Sequence, residues 1–221
     1  MSADLAEKTV PSVQSQGVLS KGQRTRERIL DLGFDAVIAK GFAATSIEEL
    51  VEAAGITKSG FFYHFKDKTD LAHQMLERYF AETNDLLNGL EKRARELSED
   101  PLHAFLIYLK LYAEAMTDIV AELPGCIVAT ITFQEQAFDR RVADMNHAGV
   151  MEWRARGRAW IETIVAAYPP RTPVVVDDLA DGLLAVTVGA ITVAKATRDP
   201  GAVGRQAMQF RDYVRLLFSP G

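Results

Sequence analysis

The chain has 221 residues, of which 48% are hydrophobic and 25% charged, with a net charge of −5. That length suffices for a sizeable core in one or two domains, and the composition is that of a globular protein rather than a disordered or fibrous one. The single cysteine, Cys126, excludes an intrachain disulfide and suits a reducing cytosol. The polar, acidic N-terminus has neither the basic n-region nor the apolar h-region of a secretory signal, and the longest low-charge run, residues 182–194, falls short of a bilayer span. A cytoplasmic protein with no membrane partner is therefore expected. The negative balance gives no basic footprint for nucleic acid: residues 20–72 hold eight Lys or Arg against eight Asp or Glu.

Residues 1–19 are rich in Ser, Gln and small side chains without a period, and read as a disordered arm whose only cation is Lys8. A first helix is predicted over residues 22–40, with one apolar stripe of Ile29, Leu32, Ala36 and Val37 and a second of Leu30, Phe34 and Ile38. Two stripes imply a helix wrapped on both sides, ended by Gly41. Thr45, with Glu48 three residues on, reads as the N-cap and capping box of a second helix whose apolar face is Ile47, Leu50, Val51 and Ala54. Gly55 stops it, Ile56 plugs the corner, and Thr57 caps a third helix of about residues 58–65. Phe61 and Phe65 share a face there and are expected in the core. Lys58, Ser59, Phe62, Tyr63 and His64 fall largely elsewhere, an odd set for a short helix unless its surface docks on something. A helix, a tight turn and a polar, aromatic second helix form the geometry that places a recognition helix in the DNA major groove. The cations Lys21, Arg24, Arg26, Arg28, Lys58, Lys66 and Lys68 lie near helix starts and the turn, while Glu48, Glu49 and Glu52 are expected to face away.

A fourth helix from near residue 69 to about 97, with Leu71, Met75, Leu76, Tyr79, Leu86, Leu87 and Leu90 inward, reads as a strut between head and body. Pro101 opens a fifth helix carrying Leu102, Phe105, Leu106, Leu109, Tyr112, Ala113 and Met116. Pro124-Gly125 is a break. The run after it, CIVATITF, is β-branched and strand-like, yet no second strand exists to pair with it. A long helix over residues 138–168 puts Trp153 and Trp160 on one face, read as core, with Arg154, Arg156 and Arg158 on a solvated face. Residues 174–197 follow, with Gly182, Gly189 and Ala196 at heptad spacing beside Ala185 and Thr192. Asp199 and Pro200 then introduce a last helix whose Val203, Ala207, Phe210, Val214 and Leu217 form a helix-packing seam.

The stretch TRERILDLGFDAVIAKGFAATSIEELVEAAGITKSGFFYHFKDKTDL, above all GFAATSIEEL, AAGITKSGFFYHF and KDKTDL, resembles the N-terminal DNA-binding domain of the TetR family of bacterial transcription regulators. The close match covers about a fifth of the chain. The resemblance implies an all-α protein of about nine helices. Residues 20–70 would form a three-helix helix-turn-helix head, and residues 71–221 an effector-binding and dimerisation domain. It also makes CIVATITF a helix. Each subunit of a homodimer would then hold one half of a palindromic operator in double-stranded DNA. Lys58, Ser59 and Phe62 are the expected base contacts, with Gly60 allowing close approach, and Thr45, Tyr63, His64 and Lys68 the phosphate contacts. The family often has Tyr in place of Phe62. Arg24 and Arg26 are candidates for backbone or minor-groove contacts. The resemblance further implies a small-molecule effector among the middle helices, where Phe105, Tyr108, Tyr112, Met116, Thr130 and Phe133 are candidate lining residues with plain core as the alternative. The final helix pair would be the dimer interface, through Gly182, Ala185, Gly189, Val203, Ala207, Phe210 and Val214. Repression is the family default; an activator, or a helical ligand-binding protein without DNA binding, is the alternative. No grouped acid, base and nucleophile, metal spacing or phosphate loop points to an enzyme, a metal or a cofactor. Cys126 is either a small hydrophobe or a redox or electrophile sensor.

Overall fold

A computed structural model describes residues 20–122 and 125–218. Among them the elements are helical throughout: α1 (Lys21–Lys40), α2 (Ile47–Ala54), α3 (Lys58–His64), α4 (Lys68–Leu97), α5 (Pro101–Glu122), α6 (Ile127–Phe133), a 3₁₀ turn (Glu135–Ala137), α7 (Arg140–Ala167), α8 (Val176–Thr197) and α9 (Gly201–Phe218). The arm expected over residues 1–19, and Pro124, lie outside the described residues. Short polar side chains set most of the starts, because the first N–H groups of a helix lack intrahelical acceptors. Ser20 and Gln23 form a reciprocal capping box on α1, Thr57 caps α3, Asp67 caps α4 and Asp139 caps α7. The cap of α2 is Ser46, accepting from the Glu49 amide, and not Thr45. Thr45 is buried instead, its hydroxyl donating to the Gly41 carbonyl at 3.0 Å. Gly41 (φ 87°) and Gly55 (φ 63°) end α1 and α2 at positive φ, where a side chain is strained. The CIVATITF run is helical: Thr130 and Thr132 return their hydroxyl hydrogens to the Cys126 and Val128 carbonyls, and no strand is available among the described residues.

One apolar cluster runs from Ile29, Leu30 and Val37 of α1 through Leu50, Phe61 and Phe65 to Leu71, Met75, Leu76 and Phe80 of α4. It continues into Ile127, Val128 and Ile131 of α6 and Val142 of α7, so the head is built onto α6 as well as onto the strut. Gly33 makes the α1–α4 contact close: a Cβ there would stand 2.9 Å from the Met75 sulfur. Arg78 of α4 reaches back to Glu27 (2.9 Å) and Asp31 (2.7 Å) of α1. Burial opposes its charge, and the bonds to the two carboxylates outweigh that and raise its pKa.

The body holds a second cluster, in which Leu102, Phe105, Leu109 and Ala113 of α5 meet Trp160, Ile161 and Ile164 of α7 and Ala207, Phe210, Val214 and Leu217 of α9. The arginines of α7 are not merely solvated. Arg156 binds Glu91 (2.9 Å) and Asn88 (2.8 Å) of α4, and Arg154 and Arg158 pair with Asp181 and Asp177 of α8. They tie α7 to both neighbours. By length and composition α8 is apolar enough to cross a membrane, because its apolar character extends beyond residues 182–194. One face of it is buried against α7 and α9, and the other is exposed.

Candidate nucleic-acid interface

The docking surface is built from the inside out. Phe61 and Phe65 are fully buried, with ring centroids 5.5 Å apart, and anchor α3 to the head core. The Thr57 hydroxyl accepts from the Gly60 amide and bonds to the Ser59 hydroxyl, fixing the first turn. Two anchored rings on one side force the intervening residues outward: Phe62 is 46% and Tyr63 82% exposed, and His64 is half-buried with its ring edge against Tyr63 at 4.9 Å. Exposed aromatics beside a lysine and hydroxyls are what a duplex-docking helix needs, since they offer apolar, hydrogen-bonding and ionic contacts at once.

Five expectations are corrected by the geometry. Thr45, at 2% exposure and bonded to Gly41, has no free side chain for a phosphate. Lys68 directs its ammonium to the carbonyls of Phe42 and Thr45, both at 2.9 Å, with the Phe42 ring 4.3 Å away. It locks the α1–α2 turn, and burial lowers its pKa. Arg26 bonds to Glu27 and Gln74 and lies near the Phe65 ring, so it joins α1 to α4 rather than reaching outward. The missing Cβ of Gly60 would face Thr57 Oγ1 (3.3 Å) and Ile56 (3.6 Å), so glycine here relieves the cap rather than admitting DNA. Glu48 does not face away: its carboxylate accepts from Lys58 at 2.6 Å, and that bond holds its pKa below the usual value. Arg24 and Lys66 are exposed.

The Glu48–Lys58 pair has a consequence for any polyanion. A carboxylate beside the lysine both repels phosphate and occupies the ammonium. Glu48→Gln is therefore expected to tighten duplex binding severalfold at every sequence, checked by fluorescence anisotropy across a salt series.

The expected effector site is also redrawn. Phe105, Tyr108 and Tyr112 are buried in a continuous aromatic stack with Trp160, at 5.4–6.2 Å between centroids, and Met116 packs against the same cluster. Burial pushes the Tyr112 phenol up to about 12. These residues are core. Thr130 and Phe133 instead line a cavity of about 620 Å³ between the end of α1, the Gly125–Gln134 segment and the second half of α8. Cys126 is in its wall, and burial pushes the thiol pKa up, away from the reactive thiolate. Lys40, Gln134 and Lys195 also line it. Sequence reasoning missed them, although Val188, Ile191, Thr192 and Lys195 share a helical face.

The seam of α9 is corrected likewise. Val203, Ala207, Phe210 and Val214 are buried within this chain. Gly204 brings α9 close to α5, a Cβ there standing 2.3 Å from Thr117 Oγ1, and Gly182 faces Phe210. The outer faces of α8 and α9 carry Ala185, Gly189, Val193, Tyr213 and Leu216, all exposed.

A short outward-facing helix behind a left-handed glycine turn, braced on an all-helical body, defines a helix-turn-helix protein. Residues 29–75 match the family model for bacterial regulatory proteins of the tetR family. Over those residues the chain is similar to the tetR family. It is 37% identical over 128 residues to the HTH-type transcriptional regulator AcrR of Shigella flexneri, covering 58% of this chain and 57% of that one. It is 29% identical over 102 residues to the HTH-type transcriptional regulator TtgR of Pseudomonas putida, covering 46% of each. The chain thus spans about half the length of the curated relatives it matches. The fold reaches further: a TetR-family regulator from Agrobacterium tumefaciens superposes with a TM-score of 0.76 at 20% identity, over 90% of this chain and 100% of that one. Another from Chloroflexus aurantiacus gives 0.69 at 23%, over 90% and 98%.

Proposed function

We propose that the protein is a ligand-responsive transcriptional regulator, acting as a repressor, that binds a palindromic operator as a homodimer and is released by a small-molecule effector. The observation that carries this reading is α3 itself, with Phe61 and Phe65 anchored, Lys58, Ser59, Phe62 and Tyr63 turned to solvent, and His64 half-buried beside Tyr63. Lys58 and Ser59 read base edges, Phe62 touches a thymine methyl, and Tyr63, His64 and the exposed Arg24 bind backbone. The AcrR and TtgR relatives, named as transcriptional regulators, support the same reading. The outer faces of α8 and α9 form the two-fold contact, through Ala185, Gly189, Val193, Tyr213 and Leu216. Support for this is the exposed apolar area that those two helices share in a single chain.

Mobility-shift titrations on a panel of duplexes test the division of labour. Tyr63→Phe removes one phosphate hydrogen bond and should weaken binding to every duplex alike, by about 0.5–1.5 kcal/mol. Lys58→Ala should instead change which duplex is preferred, by about 1–3 kcal/mol at one position. Equal losses for both variants on every duplex would refute the assignment.

A further inference from the structure

The pocket between α1, α6 and α8 is open to solvent along Phe133, Thr192 and Lys195, all exposed, and its volume falls within the roughly 300–1,000 Å³ of ligand sites. Its wall is apolar over Val37, Ile38, Ala129, Phe133, Val188 and Ile191. Its charged members are both lysines and no carboxylate lines it, in a chain with 30 acids against 25 bases. Lys40 is engaged by Glu49, whereas the Lys195 ammonium has no partner among the described residues. The Thr130 and Thr192 hydroxyls give their hydrogens to carbonyls of their own helices, so they offer no free donor. The charge-bearing donor left over is Lys195. We propose that this cavity binds an amphiphilic organic anion, an apolar body carrying one carboxylate that pairs with Lys195, and that its occupation sets the position of the head.

The second half of that proposal rests on the reading of the chain as a DNA-binding regulator, and on how the cavity wall grips α1. The Gln134 side chain lies against Gly41, where a Cβ would stand 2.6 Å from Oε1, and Gly125 lies against Ile38, where a Cβ would stand 2.3 Å from Cγ2. The last turn of α1 is thus clamped from the cavity side. The same turn runs on into Phe42 and Thr45, whose carbonyls Lys68 holds. An occupant that displaces Gln134 or Ile38 moves the segment on which α2 and α3 are set. It lowers duplex affinity to the extent that it prefers the displaced state.

Calorimetric titration of the full chain without DNA tests the site, using decanoate and decanol below their aggregation concentrations. Decanoate should saturate at one molecule per chain and bind about two- to fivefold tighter than decanol, the worth of an ion pair with an exposed lysine. Lys195→Gln should bring decanoate down to decanol and leave decanol unchanged. Ala129→Phe, checked for an unaltered melting profile, should remove both. Because Lys195 is exposed, its variant keeps the test decisive if Ala129→Phe fails to fold. Absence of saturable binding, or equal decanoate affinity for parent and Lys195→Gln, would overturn the site. In mobility shifts decanoate should then weaken duplex binding by the parent and not by Lys195→Gln. Decanoate that binds without that effect overturns the coupling. A chain that binds no duplex at all sinks the regulator reading, and the calorimetry still decides the cavity.

Discussion

Phe61→Ala is expected to unfold the head and abolish duplex binding while the body stays helical. Phe61 is fully buried at the point where α3 meets the head core, its ring in contact with Phe62 and Phe65, both at 5.5 Å. Truncating a buried phenylalanine costs about 3–5 kcal/mol, the lost transfer energy plus the cavity left behind. A domain has only about 5–15 kcal/mol in hand, and α3 is too short to hold a helix without its anchor. Urea unfolding followed by circular dichroism should show the early loss of a minor helical fraction, and anisotropy should show no specific binding at protein concentrations that saturate the parent. The control is Phe62→Ala, one residue along and half exposed. It should cost under about 1 kcal/mol of stability and still weaken binding. If Phe61→Ala bound duplex normally, the anchored-helix account would be wrong.

Gly149→Ala should destabilise the contact between strut and body, against the usual helix preference for alanine. A Cβ at Gly149 would stand 2.1 Å from Phe80 Cζ and 2.2 Å from Cε1, inside any tolerable contact. The Phe80 ring cannot retreat freely, because Trp153 and Tyr79 hold it at centroid distances of 5.1 and 5.9 Å. Overpacking of this kind costs about 1–3 kcal/mol, which exceeds the gain of about 1 kcal/mol from replacing a helical glycine. Phe80→Leu alone opens space and is also destabilising, but in the double variant the two losses should partly cancel, leaving a favourable coupling energy above about 1 kcal/mol. Additive losses in the urea cycle would place the strain elsewhere.

Much of this architecture was legible as pattern. Apolar spacing, caps and glycine stops located the helices, and the odd composition of Lys58–His64 singled out the docking face. What escaped depended on which neighbour a side chain meets. Thr45 and Ser46 are adjacent hydroxyl residues, and only the fold of α1 over the turn decides that one is buried and the other caps. The crossing of α2 and α3, not the period of α2, brings Glu48 to Lys58. The seam of α9 was read as helix-packing surface, yet spacing cannot tell an internal α5 from a partner subunit, and here it is α5. The cavity escaped for a like reason: α1 and α8 meet there from opposite ends of the chain, and an aromatic-rich α5 looked the better lining until its rings proved to be stacked on Trp160.

Selection of bound duplexes from a random library by the full chain tests the central claim most directly. The account predicts enrichment of a two-fold symmetric motif whose half-sites lie about one helical turn, roughly 10 base pairs, or a multiple of it apart. In a parallel selection Lys58→Ala should shift base preference at symmetric positions. Enrichment of nothing, or of a single asymmetric site indifferent to Lys58, would contradict it.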